Sequence, residues 1–307
     1  MKYDVTVIGE IYLDHVFSGF ADWPIPGSEV FTDEYTWELG GGAITTACAL
    51  SLLGAKVRLA GVVGEGDYKA IADRLEEFGV SADNLIVEKG RSGVTVSIST
   101  AHDRTFFTYR GVNDRLATYL EQHPVVVEEA AQARHVHLAL PLEVGAGARI
   151  VKALKDHGAT VSIDVGHHVE WLQNQENWTL MRMIDYVMPN EKESMMLAGS
   201  PEAYLRLCRQ HGVKHALVKL GPAGAMMLSD GKEYWAAPPL VDLVDTTGAG
   251  DAFDAGFIHA LLEGLSPQQC LQHGCVCGAL STRAAGALRA LPTRNEVEAA
   301  LEEFYAT

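Results

Sequence analysis

Long apolar runs are missing from this 307-residue chain, and so is any excess of basic charge. No stretch approaches the ~18 uninterrupted apolar residues of a membrane span, so no membrane partner is expected. Lys and Arg number 24 against 40 Asp and Glu, a net charge of −16. General nucleic-acid binding needs a basic face, and this balance argues against it. Cysteine is sparse and odd in number. Cys48, Cys208, Cys270, Cys275 and Cys277 make no disulfide framework, and Cys275-Val276-Cys277 has no second Cys/His pair at ligand spacing, so buried thiols are expected. Met1-Lys2-Tyr3-Asp4-Val5 lacks the basic-then-apolar pattern of a secretory signal, which points to the cytoplasm. Gly9-Glu10-Ile11-Tyr12 has none of the closely spaced glycines of a pyrophosphate-binding turn, which excludes a dinucleotide oxidoreductase. What is present suits a globular enzyme: 48% hydrophobic residues can fill a sizeable core, and 21% charge is ordinary for a surface.

Strand and helix patterns alternate along the chain. Tyr3–Gly9 is a β-branched run closed by glycine, Ala43–Leu53 is small and apolar at helical spacing, and Val57–Gly64 reads as a strand. Asp67 is placed to cap a helix carrying Ile71, Leu75 and Phe78 on one face. His135–Leu140, Thr160–Val165, Ile184–Met188 and His215–Leu220 are further strands, with a helix over Gly145–His157. Such alternation predicts a mostly parallel sheet with helices on both faces. With no repeat, low-complexity tract or Pro/Ser-rich linker, the chain reads as one domain over 1–307. Two stretches, about 11–37 and 93–111, instead resemble antiparallel hairpins, the second turning at His102-Asp103. They are expected to form a small flap or lid over one end of the sheet, or to be surface hairpins without a role. Tyr12, Phe17, Phe20, Trp23, Phe31, Tyr35 and Trp37 in the first are more aromatics than a solvated hairpin needs, so they cover substrate, form a dimer face or pack the flap on its base.

The most informative segment is Asp245-Thr246-Thr247-Gly248-Ala249-Gly250-Asp251-Ala252-Phe253. Two glycines among small residues permit a tight loop, and Ala252, Phe253, Gly256, Phe257, Ala260 and Leu261 then follow one helical face. Gly248–Asp251 therefore opens a helix, where unpaired amides favour an anion. Asp251 in that turn is either a favourable first-turn acid or a group that shares a site with the anion.

Asp245–Phe253 matches the C-terminal signature of the PfkB (ribokinase-like) carbohydrate kinase family. Gly40-Gly41-Gly42-Ala43-Ile44-Thr45-Thr46-Ala47 resembles that family's N-terminal glycine pair and helix, Pro189-Asn190-Glu191-Lys192-Glu193 its Asn-x-x-Glu element, and Lys219-Leu220-Gly221-Pro222-Ala223-Gly224 its nucleotide-binding hairpin. The motifs stand in the family's order over nearly the whole chain. The resemblance implies a three-layer α/β/α fold with a small antiparallel lid, and an ATP-dependent kinase acting on a hydroxyl, expected to be a primary CH₂OH, of a small sugar or sugar derivative. It implies that the amides of Gly248, Ala249, Gly250 and Asp251 form an anion hole for the transferring phosphoryl group, with Asp251 as base. A free Asp titrates near ~3.9, so Asp251 is expected to stay ionised at neutral pH. Asp14, Gly41, Gly42, Thr45 and Arg110 would meet the sugar, and Asn190, Lys219, Gly221, Gly224 and Gly248 the nucleotide, with Lys219 as an ordinary strand-end lysine the rival. Glu193, helped by Asn190, would hold Mg²⁺ through water, although Asn-x-x-Glu also fits a capping box. Asp245 and Thr247 would help hold a monovalent cation, K⁺, and some relatives dimerise through the lid.

Several positions depart from the family pattern. Thr45 stands where many members carry Asn, and Ala139 stands near a glutamate of ribose-specific members, which argues against ribose. Tyr109-Arg110 is like a pair in sugar-acid kinases. Their Asp-x-Asn-x-Arg run, however, is replaced by Asp164-Val165-Gly166-His167-His168-Val169-Glu170-Trp171, whose histidines are expected in a loop. A nucleoside or sugar-acid kinase is thus the alternative within the class. A catalytically silent sugar- or nucleotide-binding regulator is the alternative outside it.

Overall fold

The computed structural model describes residues 3–100 and 104–305, so the turn expected at His102-Asp103 lies outside the described residues. The first β-branched run forms β1 (Val5–Gly9), buried throughout. In chain order there follow β2 (Tyr12–Phe20), β3 (Tyr35–Gly40), β4 (Val57–Ala60), β5 (Val62–Gly64), β6 (Ile86–Glu88), β7 (Gly93–Thr100), β8 (Arg104–Tyr109) and β9 (His135–Ala139). The later strands are β10 (Thr160–Ile163), β11 (Tyr186–Val187), β12 (His215–Lys219), β13 (Ala225–Ser229) and β14 (Lys232–Ala236).

Eight of these make the main sheet in the order β14-β13-β12-β11-β10-β9-β1-β4. From β4 to β12 every pairing is parallel, and the β13–β14 hairpin adds an antiparallel edge. Helices cover both faces, as near-continuous apolar parallel strands require. On one side Val136, Leu138, Val161 and Ile163 meet Ile150, Leu154, Tyr204 and Leu205. On the other, Val5, Val7 and Leu59 meet Ala43, Ile44 and Ala47 of helix Gly42–Leu52, and Ala252, Ala255 and Ile258 of helix Ala249–Leu262. All five cysteines are buried and free, as expected. No helix among the described residues is long and apolar enough to cross a membrane.

The run expected as one strand over Val57–Gly64 is broken at Gly61. A side chain there would fall 2.7 Å from the Gly9 carbonyl oxygen, so the chain passes too close to β1 to continue the sheet. Beyond it β5 turns away and pairs with β6.

A second sheet, ordered β3-β2-β7-β8, rises from the carboxyl end of β1. Its two hairpins are antiparallel, and β2 and β7 join them by parallel pairing, a contact between distant segments that local patterning does not encode. Two polar ties anchor its base. Buried Asn113 accepts from the Ile11 amide at 3.1 Å and donates to the Ile11 carbonyl at 2.8 Å. Arg74 donates to both carboxylate oxygens of Glu38 at 2.8 and 2.6 Å, a fork geometry that fixes orientation as well as distance.

Candidate active site

The carboxyl ends of the parallel strands and the base of the second sheet bring three distant segments together. Gly248 adopts φ +75° and caps helix Ala249–Leu262, so the chain enters the helix through a left-handed turn that a side chain would strain. The Ala249 amide donates to the Thr246 carbonyl at 3.2 Å. The amides of Gly248, Gly250 and Asp251 find no acceptor among the described residues, so of the four expected amides only that of Ala249 is paired within the chain. Asp245 shapes the turn: one carboxylate oxygen accepts from the Thr247 amide and hydroxyl at 3.0 and 2.7 Å, and the other accepts from the Gly286 amide at 2.9 Å.

Helix Gly42–Leu52 lies against this turn. A side chain at Gly42 would come within 2.7 Å of Asp251 Oδ1, and the Thr46 hydroxyl donates to the Asp251 carbonyl at 3.2 Å. Gly41, at φ +98°, passes the Glu10 carbonyl, where a side chain would come within 2.5 Å. A side chain at Gly40 would overlap the Asp14 carboxylate. The glycine run therefore packs between two carboxylates, Asp14 and Asp251, with no side chain of its own. Thr45 differs from expectation: at 1% exposure it is buried, its hydroxyl 3.4 Å from the Gly41 carbonyl and its methyl beside Gly248. Helical backbone captures a threonine hydroxyl at this spacing.

Electrostatics corrects a second expectation. Burial, and then the charge of Asp164, push the Asp251 carboxyl up to about 7 against the opposing pull of Lys219, so it does not remain in the ordinary carboxylate range. Asp14 is pushed up to about 6 by burial, with Glu38 adding to the shift and a Thr95 hydrogen bond opposing it.

Lys219 is also not where a nucleotide contact would leave it. Its side chain is only 8% exposed, and its ammonium donates to Asp164 at 2.6 Å and to both oxygens of Asp254 at 3.1 and 3.0 Å. Asp254 is fully buried on the inward face of helix Ala249–Leu262. Sequence reasoning passed over Asp164 and Asp254. The signal was a charge on an apolar helix face and another at the end of a buried strand, since such charges are almost never buried unpaired. Gly221 and Gly224 do form the turn between β12 and β13, both at positive φ.

Asn190 and Glu193 take the capping-box geometry at the start of helix Glu191–Ala198. Asn190 Oδ1 accepts from the Glu193 amide at 3.0 Å, and Glu193 accepts from the Asn190 amide and side chain at 2.8 and 2.7 Å. Glu193 is 2% exposed, and burial, then Asp164, push it up to about 7.

At the far side of the cleft Arg110 pairs with Glu10 and, at 3.1 Å, with Asp114. Tyr12 donates to the second oxygen of Glu10 at 2.5 Å. His167 is exposed and His168 half-buried in the loop after β10, as expected for neighbours in a loop. Burial lowers the pKa of His168, while Glu10 opposes that shift, which sets His168 near the Glu10–Arg110 pair.

Comparison with known proteins follows the same outline. The pfkB family carbohydrate kinase pattern matches residues 2–294. The chain is similar to a ribokinase of Haemophilus influenzae, 26% identical over 98% of this chain and 99% of that one. It is also similar to an ATP-dependent ribose-1-phosphate kinase of Halopiger xanaduensis, 31% identical over 87% of each. Among solved structures, the Arabidopsis thaliana ribokinase complexed with ribose and ATP superposes with a TM-score of 0.85 at 26% identity, covering 98% of this chain and 99% of that one.

Proposed function

Since the chain belongs to the pfkB family of carbohydrate kinases, we propose that it transfers the γ-phosphoryl group of ATP to a hydroxyl, a primary CH₂OH, of a small uncharged sugar. The observation that carries this reading is the meeting of Asp251, Gly42 and the unpaired Gly250 and Asp251 amides at one helix start. A sugar hydroxyl laid on the glycine run comes within reach of Asp251, and the two amides are aimed where phosphoryl oxygens gain charge. In the transfer, the hydroxyl oxygen bonds to the γ-phosphorus as the bond from phosphorus to the bridging oxygen breaks. ADP leaves, and the hydroxyl proton passes to the Asp251 carboxylate.

The acceptor's class follows from charge. Arg110 is already paired with Glu10 and Asp114, and the Asp14 carboxylate lies against Gly40 on the other side of the glycine run. A carboxylate or phosphate on the sugar would have to displace an existing ion pair beside further acids, whereas hydroxyls donate readily to them. Nucleosides satisfy the same charge rule and form the second reading.

Glu193 and Asn190 are the residues that would hold Mg²⁺ through water. Glu193 is buried and raised to about 7 by burial and then by the charge of Asp164, so a divalent cation would favour its ionised, hard-oxygen form. When bound, the ion would neutralise phosphate charge. Asp245 and Thr247 would support K⁺, and the second sheet would act as a lid. Its exposed Tyr35, Phe106 and Phe107, with Phe31 in the connection between β2 and β3, favour pairing of two such sheets in a homodimer.

A coupled ADP-release screen with Mg-ATP against neutral pentoses, hexoses and ketoses, sugar acids, sugar phosphates and nucleosides tests this. Neutral sugars are expected to give the highest kcat/KM. Turnover confined to sugar acids or phosphates would overturn the acceptor class. ADP release that no acceptor stimulates would leave the silent regulator.

A further inference from the structure

Lys219, Asp164 and Asp254 form a closed charge cluster beneath the turn that opens helix Ala249–Leu262. The cluster draws on three elements: Lys219 ends β12, Asp164 follows β10, and Asp254 projects from the helix itself. A side chain at Gly250 would meet the Lys219 ammonium at 3.4 Å, so the backbone of the proposed anion hole rests directly above the positive charge. We propose that Lys219 is a positioning residue for phosphoryl transfer: its ammonium, clamped by Asp164 and Asp254, pins the Gly250–Asp251 turn to the sheet and supplies the positive charge under it.

Three considerations support this. The ammonium makes contacts at 2.6 to 3.1 Å with two carboxylates at once, which exhausts its donors and leaves none free for a ligand. Burial alone would lower its pKa, but Asp164 and then Asp254 raise it, so it stays charged at every working pH. Burial pushes Asp254 well above the ordinary range against the opposing pull of Lys219, while at Asp164 the pull of Lys219 outweighs burial and holds the carboxyl low. His137, buried on β9 beside the pair, is held down to about 4 by burial and adds no charge near neutrality. A fixed positive centre in a poorly solvated layer acts strongly over a few ångströms.

This inference rests on Asp251 as the base, and the experiment separates the two. The charged or titratable groups facing Asp251 are Asp164, Lys219, Glu193 and, from its own helix, Asp254, while helix Gly42–Leu52 presents only Gly42 and Thr46. The measurement is kcat against pH, with KM for ATP, in Asp164→Asn, Lys219→Met and the double variant. Removing the Asp164 charge should move the acid limb to lower pH, and removing the Lys219 charge should move it higher, each by about one unit. Lys219→Met should also lower the plateau kcat about tenfold with KM for ATP within about twofold of wild type. The double variant restores charge balance and should bring the limb back toward wild type, and it serves where Lys219→Met alone does not fold. Limbs that fail to move in opposite directions would overturn the proposal. So would a Lys219→Met variant with normal kcat and a large rise in KM for ATP, which would make Lys219 a nucleotide ligand. If Asp251→Asn keeps near-normal turnover, it is the base assignment that falls.

Discussion

Replacing Asp251 with Asn is expected to lower kcat by about 10³-fold while leaving KM for ATP within a few-fold of wild type. Asn keeps the shape that packs on Gly42, so the loss reports the missing base rather than a displaced helix. The wild-type rate should carry an acid limb near pH 7, because the carboxyl, pushed up to about 7 by burial and by Asp164, must lose its proton before it can accept another. Activity is thus low below the limb and full above it. The stability consequence has the opposite sense. A carboxyl raised in the folded state is favourable while it holds its proton, and that contribution is lost as pH rises from about 4 through about 7. Asp251→Asn should therefore be more stable than wild type at pH 8, by about 2 kcal/mol after allowance for its partial exposure, and equal to it near pH 4. Urea unfolding at both pH values, beside steady-state kinetics, checks the pair. A variant with near-wild-type kcat would remove Asp251 from the chemistry.

The second large effect is expected at Gly224, in the turn between β12 and β13. Its backbone lies at φ +91° and ψ −133°, a region open in practice only to glycine, and an added Cβ would collide with the Ala236 carbonyl oxygen. The turn is held on both sides: Leu220 donates to the Gly224 carbonyl at 2.8 Å, and Gly224 donates to the Gly221 carbonyl at 3.0 Å. Gly224→Ala must push β14 off β13 or break this turn, and should cost about 3 kcal/mol of stability. For a chain of this size that lowers Tm by about 5–10 °C, and a looser turn should raise KM for ATP. Gly221→Ala is the control: φ is +57° with open space around it, so only about 1 kcal/mol is expected. Equal losses at the two positions would mean that backbone conformation alone, without the Ala236 collision, governs the site.

Much of the architecture and half of the site follow from local order along the chain. Strands that are apolar throughout, glycine at the helix stop Gly54 and the small-residue turn at Gly248–Asp251 each act over a few residues, where steric rules hold whatever surrounds them. The glycine run at 40–42 likewise marks a close approach, expected for the sugar, and folding also brings Asp14, Glu10 and Asp251 against it. Other features depend on partners far away in the chain. Asp251 carries an ordinary first-turn acid's sequence signature, and its raised pKa arises from burial and from a charge 87 positions earlier, at Asp164. Lys219 reads as a nucleotide ligand, or else as an ordinary strand-end lysine, until folding delivers Asp164 and Asp254 to it. The β2–β7 pairing and the Arg110–Glu10 contact are of the same kind. Backbone geometry is written locally because sterics are short-ranged. Charge state, solvation and pairing are sums over everything within about 10 Å, and only the folded chain assembles that sum.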